Sequence, residues 1–544
     1  MTSRLHQLRQ QPFIKHRIIP LLKPYVKILR RIRASIFLQL WVGISLMPRL
    51  NPSWLKRAFP DIHELRTLLG KEAYAYLISI AFTIRPYRKA MQAMAFFLSN
   101  TGLPDAGLIL YAALLNDYKQ REIPPDDIIV IYLQTLMFGP PLIQTNEHIY
   151  NEHVRLSKRF ISDKIYQTYP NTLTLNRRLK IGYTCHFITI STSKTLLQPL
   201  LKAHHKDRVE VFMYSDEPPH SVPDSIRNTV EHWRDTYGLN ADAFCEQVRK
   251  DEIDILLELN GHGLIQRYHE ITRRPAPVQV AWYNYANTTG VQGIDYTLTS
   301  DDIQIQSLQP YYSETIIAKK GSSHAVPVGD YFPPVSAPPF EKNGYITFCS
   351  FGQALKVSRK QILLWCEILK RVPNSQFFMK AQMLGEESAK RAAFIHHFND
   401  GGIDTSRLIL EGNSDYPTLL KCYERADIAL DTYPHNAGTT TIEAIIQGVP
   451  VISLVGDRYS SQLSRAIVGT GGHPEFQCAS REEFIEKAVA LANNREQLKQ
   501  YRQQLRADYQ RSPRVDVDGF MSELEDAYFE MWRRYINNIY SKHT

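Results

Sequence analysis

No aspartate or glutamate occurs in residues 1–60, although that stretch carries twelve lysines and arginines. The net charge of the chain is +9, so the 484 residues after the leader sum to −3. The basicity belongs to the leader, and the body is nearly neutral. No zinc-finger spacing or RNA-recognition signature accompanies the charge, so no nucleic-acid partner is expected. Cysteine is scarce: Cys185, Cys245, Cys349, Cys366, Cys422 and Cys478, with no CxxC pair. They read as reduced core thiols of a cytoplasmic protein. No HExxH or His/Cys cluster suggests a metal. The apolar run of the leader, "IFLQLWVGISLM" (Ile36–Met47), is too short to span a bilayer, which takes about 20 residues. Basic residues precede it as in a signal peptide, but no small-residue cleavage site follows. Two readings stay open: a basic amphipathic segment touching an anionic membrane surface, or a first helix packed on the domain behind it.

What is present is ordinary for a globular protein of several domains: 544 residues, 44% apolar and 22% charged. Residues 61–175 read as an α-helical domain. "HELRTLLGKEAYAYLISIAFTI" and "YRKAMQAMAFFLSN" place apolar residues at i, i+3, i+4 spacing. Ala- and Tyr-rich helix pairs suggest a short helical-repeat remnant, without a fixed period. From Arg178 the pattern becomes strands alternating with helices. "RLKIGYTC", "VEVFMYS", "IDILLELNG", "VQVAWYN" and "YTLTSD" are strands of a first sheet within 176–335. A Pro-rich linker follows. "YITFCSF", "SQFFMKA", "RLILEG", "DIALDTY" and "VPVISLV" are strands of a second sheet within 340–515, and an aromatic helix fills 516–544. The expected fold is α/β: a pair of Rossmann-type domains preceded by an α-helical domain, with a ligand between the sheets at their carboxyl ends.

The residues with chemistry sit at those strand ends. "HNAGTTTIEA" follows "DIALDTY" and opens a short helix, so backbone N–H groups at a helix N-terminus face the strand end. That arrangement suits a diphosphate. His435, Asn436, Gly438, Thr439, Thr440 and Thr441 would form the cradle. No Walker lysine follows, so it is not a P-loop. Thr440 and Glu443 also fit a capping box, and Glu443 could instead bind a ribose as acids do in nucleotide-binding sheets. Gln353 and Lys356 in "SFGQALKVS" leave the first strand of the same domain, where Lys356 could neutralise a leaving diphosphate or lie solvated in a loop. In the first domain, "NGHG" (Asn260, His262) and "NYANTTG" (Thr288, Thr289, Gly290) look like acceptor-side loops. His232 in "VEHWRDTYG" reads more simply as a packing or capping histidine.

Together these blocks resemble the catalytic region of the O-linked N-acetylglucosamine transferases, whose kin are the SPINDLY-type O-fucosyltransferases and the bacterial cytoplasmic N-glycosyltransferases. The resemblance runs from about Asn146 to Glu530 through "LKIGY", "IDILLELNGH", "RRPAPVQVAWYNYANTTG", "DYTLTSD", "ITFCSFGQALKVS", "ILKRVPNSQ" and "ADIALDTYPHNAGTTTIEAIIQGVPVISLVGDR". It implies a GT-B fold and metal-independent, inverting sugar transfer from a nucleotide sugar, most simply a UDP-sugar, to a protein Ser/Thr or Asn side chain. No separate cofactor is implied. Lys356 matches the diphosphate-contacting lysine and Gln353 a donor-site glutamine. Thr439 and Thr440 match the helix-terminal threonines, and Glu443 the ribose-binding acid. Ser414 in "LEGNSDYP" falls where backbone groups read the base. His262 matches a histidine of bacterial members and His232 a first-domain histidine.

The chain also departs from the pattern. Within "GYTCHFITISTS", Ser191 stands where members carry a histidine discussed as catalytic base, with His186 displaced nearby. Ala437-Gly438 replaces the Gly-His of animal enzymes, and Gln462 stands for a family arginine, with Arg465 displaced. Lys356, His262 and His186 are therefore the catalytic candidates. Two further readings remain: a nucleotide-sugar-binding pseudoenzyme, and a transferase acting on a glycan or lipid at a membrane surface through residues 1–60. Oligomeric state is not legible.

Overall fold

The structure, a computed structural model, describes residues 145–543 except 264, 265, 383, 386 and 387, together with 126–138 and scattered helical positions between 92 and 115. The basic leader lies outside the described residues. The chain forms two compact units, residues 1–136 with 387–394 and residues 137–386 with 395–544.

In the first unit the described residues are helical. Ala95, Leu108, Tyr111, Leu114 and Leu115 are buried, and a Cβ on Gly107 would collide with the Ser99 hydroxyl, so two helical stretches pack closely there. Helix α1 (Asp126–Phe138) buries Ile128, Ile129, Leu133 and Leu136.

The second unit holds both sheets. It begins with helix α2 (Asn146–Ser157), capped by the Thr145 side chain on His148 N. The first sheet follows as β1 (Leu179–Cys185), helix α3 (Ser191–Leu196), β2 (Val209–Ser215), β3 (His232–Asp235), helix α4 (Ala241–Lys250), β4 (Ile255–Glu258), β5 (Val278–Ala281), β6 (Tyr296–Ser300) and β7 (Thr315–Lys319). All pairs are parallel, in the order β3-β2-β1-β4-β5-β6-β7. The order reverses between β1 and β4, which opens a crevice at their carboxyl ends.

The second sheet repeats the plan. It contains β8 (Thr347–Phe351), helix α5 (Arg359–Arg371), β9 (Gln376–Lys380), β10 (Leu408–Glu411), helix α6 (Tyr416–Cys422), β11 (Ile428–Leu430), helix α7 (Thr439–Ile446), β12 (Val451–Leu454), helix α8 (Leu463–Thr470) and β13 (Gln477–Cys478). Its order is β10-β9-β8-β11-β12-β13, with the reversal between β8 and β11. Helices α9 (Arg481–Asn493), α10 (Arg495–Arg511) and α11 (Val517–His543) close the chain. Two facing Rossmann-type domains are the expected GT-B fold.

The ten strands expected from apolar runs all form. Strands β3, β7 and β13 were not anticipated, because they are short or carry polar residues such as His232, Arg234, Thr315 and Gln477. Burial on both faces explains why β1 and β8 are mostly apolar along their length rather than alternating. One face of the first sheet is covered by α11: Phe520, Met521, Leu524, Tyr528, Met531 and Trp532 join Ile181, Tyr183, Leu257 and Val280 in one core. The chain therefore returns from the second domain to finish the first. Among the described residues, no helix is long and apolar enough to cross a membrane.

The two domains also meet along a polar and apolar seam. Gln462 Nε2 donates to Gln304 O (3.0 Å) while its Oε1 accepts from Gln304 N (2.9 Å), so one side chain pairs with a main chain as a strand would. Beside it, Arg514 and Asp302 form an ion pair of 2.8 Å, with side chains 0% and 5% exposed. Ile303, Ile305, Leu308 and Tyr312 pack with Ala466 and Leu463 around these contacts.

Candidate donor site

The second sheet builds a cleft of about 510 Å³ at its point of reversal. Gly352, Gln353 and Lys356 line it from the β8 side, and Asp431, Thr432, Ala437, Thr440 and Thr441 from the β11 side. Gln353 precedes a 3-10 turn, Ala354–Lys356, which swings the lysine back over the sheet end. There Lys356 Nζ donates to Asn436 O at 2.9 Å. Burial pulls the ammonium down to about 8, against the opposing pull of Asp431.

The loop between β11 and α7 is fixed from inside. Asp431 Oδ1 accepts from Thr432 N and Ala437 N (both 2.8 Å), and Oδ2 accepts from Ser453 Oγ (2.6 Å). Burial raises the Asp431 carboxyl, and these donors pull it back. Asn436 Nδ2 donates to Thr432 O and Leu454 O, and Thr432 Oγ1 to His435 O. Gln361 of α5 accepts from Tyr433 N at 3.2 Å. His435 is held neutral by burial and by the Lys356 charge. The result is a preset backbone that aims the first N–H groups of α7 at the cleft. A Cβ at Gly438 would meet no protein atom within 4 Å, so the helix end is open on that side. Helix N-termini of this kind attract anions.

The Thr440–Glu443 pair does not form a capping box. The N-cap is Gly438, without any side-chain cap bond. Glu443 is 2% exposed and takes hydrogen bonds from the Tyr416 and Tyr423 hydroxyls, the latter at 3.4 Å. Burial lifts its carboxyl to about 8, against the opposing pull of the two tyrosine hydroxyls. Tyr416 reaches onward to Thr195 of α3 at 3.4 Å, so the Glu443 cluster touches the first domain. Thr439 and Thr440 are half-buried at the helix end. Thr441 is buried, and its hydroxyl bonds Ser464 Oγ at 2.8 Å at the edge of the cleft. Ser414 is exposed on the β10–α6 loop, bonds Asp415 O, and does not line the cleft.

On the first sheet the outcome differs by residue. His186 follows β1 and is half-buried. Its main-chain N–H and its Nδ1 both meet Asn260 Oδ1, at 3.0 and 2.8 Å. His262 is 2% exposed. Its Nε2 donates to Thr289 O at 2.6 Å, and the ring packs among His153, Tyr268 and Tyr285. The expectation of an acceptor-side histidine is corrected here: packing occupies it. Thr288 and Thr289 are both 0% exposed, which removes them from an acceptor surface. Thr288 Oγ1 and Thr289 N each donate to Glu314 at 2.7 Å. Gly290 has φ +65°, and a Cβ there would strike the His153 backbone, so it is a packing glycine under α2. His232 starts β3, at the amino edge of the parallel sheet and away from the crevice. It pairs with Glu210 (2.6 Å) and stacks on Phe212. Gln462 is engaged at the domain seam.

Sequence reasoning missed Asp431, Tyr416, Tyr423 and Thr195. Asp431 carried a signal, being the first residue past β11. The tyrosines gave none, since their partner lies 20 or more residues away. Among the described residues, no group of three or more His, Cys, Asp or Glu is placed to hold a metal ion.

Comparison with known proteins identifies the family and the fold. The sequence profile of glycosyl transferase family 41 matches residues 136–331 and 341–524. The "Probable UDP-N-acetylglucosamine--peptide N-acetylglucosaminyltransferase SPINDLY" of Oryza sativa subsp. japonica is 31% identical over 404 residues, 72% of this chain and 43% of that protein. The UDP-N-acetylglucosamine--peptide N-acetylglucosaminyltransferase of Caenorhabditis elegans is 21% identical over 477 residues, 66% of this chain and 41% of that protein. The chain thus spans less than half the length of these relatives. Among solved structures, a mutant O-GlcNAc transferase of Thermobaculum terrenum shares the fold, with a TM-score of 0.74 at 24% identity over 94% of this chain and 99% of that chain. Matched by the family profile across both sheets, the chain belongs to glycosyl transferase family 41.

Proposed function

We propose that the chain is an inverting glycosyltransferase that moves a sugar from a nucleoside-diphosphate sugar, UDP-N-acetylglucosamine being the favoured donor, to a protein side chain. The observation that carries this reading is the convergence of Lys356 and the N-terminus of α7 on one cleft. The diphosphate lies against Thr439 and Thr440, its ribose near Glu443. Lys356 and the helix dipole, rather than a metal ion, supply positive charge as the diphosphate leaves. The names of the relatives support both the donor and a peptide acceptor. A cytoplasmic location accords with the six free, buried cysteines.

A thermal-shift panel of nucleotide sugars tests the reading. A donor at 100 times its Kd stabilises the protein by about 2.7 kcal/mol. UDP-N-acetylglucosamine should raise Tm, and a panel in which no nucleotide sugar does so overturns the proposal. Ser191 at the family histidine position favours a binding-only protein as the second reading. Donor turnover in the presence of acceptor peptides separates the two.

A further inference from the structure

We propose that His186 is the residue that takes the acceptor's proton, that Asn260 fixes its tautomer, and that Glu258 is the positioning residue that holds Asn260. This rests on the transferase reading above and goes beyond it, because that reading leaves the proton acceptor open.

The tautomer follows from one unambiguous donor. The main-chain N–H of His186 can only donate, so the Asn260 atom facing it at 3.0 Å is the carbonyl oxygen Oδ1. The same oxygen lies 2.8 Å from His186 Nδ1. An oxygen cannot donate there, so Nδ1 carries a proton, and in the neutral imidazole Nε2 is then the nitrogen that keeps its lone pair. That is the form a general base needs. His262 shows the opposite arrangement. Its Nε2–H is spent on Thr289 O, and its Nδ1 is sealed from solvent.

Glu258 holds the arrangement from below. At the end of β4 its two oxygens accept from Asn260 N and Gly261 N, both at 2.9 Å. The loop carrying Asn260 is thereby tied to the strand beside β1. The other carboxyls near the end of β1 are already engaged: Asp216 with Arg267 and Glu217 with Thr189. The ring of His186 remains half-buried at the carboxyl edge, in the connection that leads to α3. Helix α3 in turn meets Tyr416 and, through it, the Glu443 cluster. His186 therefore lies on the connection into α3, the helix whose Thr195 meets the donor domain.

The step balances without a further reactant. The acceptor hydroxyl oxygen attacks the anomeric carbon, and its proton passes to His186 Nε2. The bond from that carbon to the β-phosphate oxygen breaks, and its electron pair leaves on the nucleoside diphosphate. The imidazolium then releases its proton to solvent.

The test compares three variants with the wild-type chain. His186→Asn should lose at least about a hundredfold in turnover with UDP affinity unchanged. Asn260→Asp should move the acidic limb of the kcat/KM profile to higher pH, because a carboxylate partner favours the imidazolium. Glu258→Gln should lower kcat without changing donor KM, since its amide group faces one of the two N–H donors. In ¹⁵N-histidine spectra, assigned by difference from His186→Asn, the His186 Nε2 resonance should be that of an unprotonated nitrogen. Full turnover by His186→Asn overturns the proposal, as does a proton found on Nε2. A wild-type chain that binds no nucleotide sugar overturns the underlying transferase reading instead, and this one with it.

Discussion

Lys356 Nζ donates to the main-chain oxygen of Asn436 at 2.9 Å, tying the end of β8 to the loop that precedes α7. The lysine is thus held beside the helix end by the protein itself, and its positive charge is preorganised. Lys356→Ala should lower turnover by about a hundred- to a thousandfold, the usual loss for a positioned charge at a leaving group. The circular dichroism spectrum and Tm should stay close to wild type. Turnover within a few-fold of wild type would remove Lys356 from the chemistry.

UDP affinity should be greatest near pH 8. Glu443, lifted to about 8 by burial, must ionise to accept the ribose hydroxyls strongly, and Lys356, lowered to about 8, must stay protonated to hold the diphosphate. Affinity then rises with pH below that point and falls above it, by up to about tenfold per unit on each side. Calorimetry from pH 6 to 10 reads both limbs. Glu443→Gln should flatten the acidic limb and leave the alkaline one.

Acid should destabilise the first domain through two buried histidines. Burial lowers His153 to about 4 and His262 well below its ordinary value. The folded pKa values lie below those of the unfolded chain, so the unfolded state binds more protons as pH falls. Stability is complete above about pH 6.5 and is lost progressively toward pH 4, by on the order of 3 kcal/mol for His153. Urea midpoints at pH 7 and 5 measure it. A His153→Gln variant should show a shallower decline.

The buried Arg514–Asp302 pair sits where the two domains join. Arg514→Met leaves Asp302 without its charge partner and should cost about 3–5 kcal/mol. The double variant with Asp302→Asn should recover much of that loss. Equal destabilisation in the single and double variants would mean that packing around Arg514, rather than its charge, matters.

The sheets were legible because their central strands are buried on both faces, leaving mostly apolar runs such as "TFCSF" and "ILLE". The donor loop was legible because its glycine and threonines cluster within one short stretch. What could not be read were partners distant in sequence. Thr288 and Thr289 looked like ligand groups because β7 escaped notice, and with it the claim of Glu314, the residue before that strand. Beside the ribose reading, Glu443 also fitted a cap because Thr-x-x-Glu is a local signature. The helix starts two residues earlier than that signature requires, and Tyr416 and Tyr423 hold the carboxyl from outside the motif.

Helix α11 lies at the far end of the chain yet walls one side of the first sheet's core, with Trp532 and Tyr528 fully buried against it. During synthesis the first sheet must therefore wait, with that apolar face uncovered, until the entire second domain has been made. The two domains are thus committed together, and cleavage before Val517 would strip the first sheet of a wall even though the cut lies about 200 residues beyond its last strand.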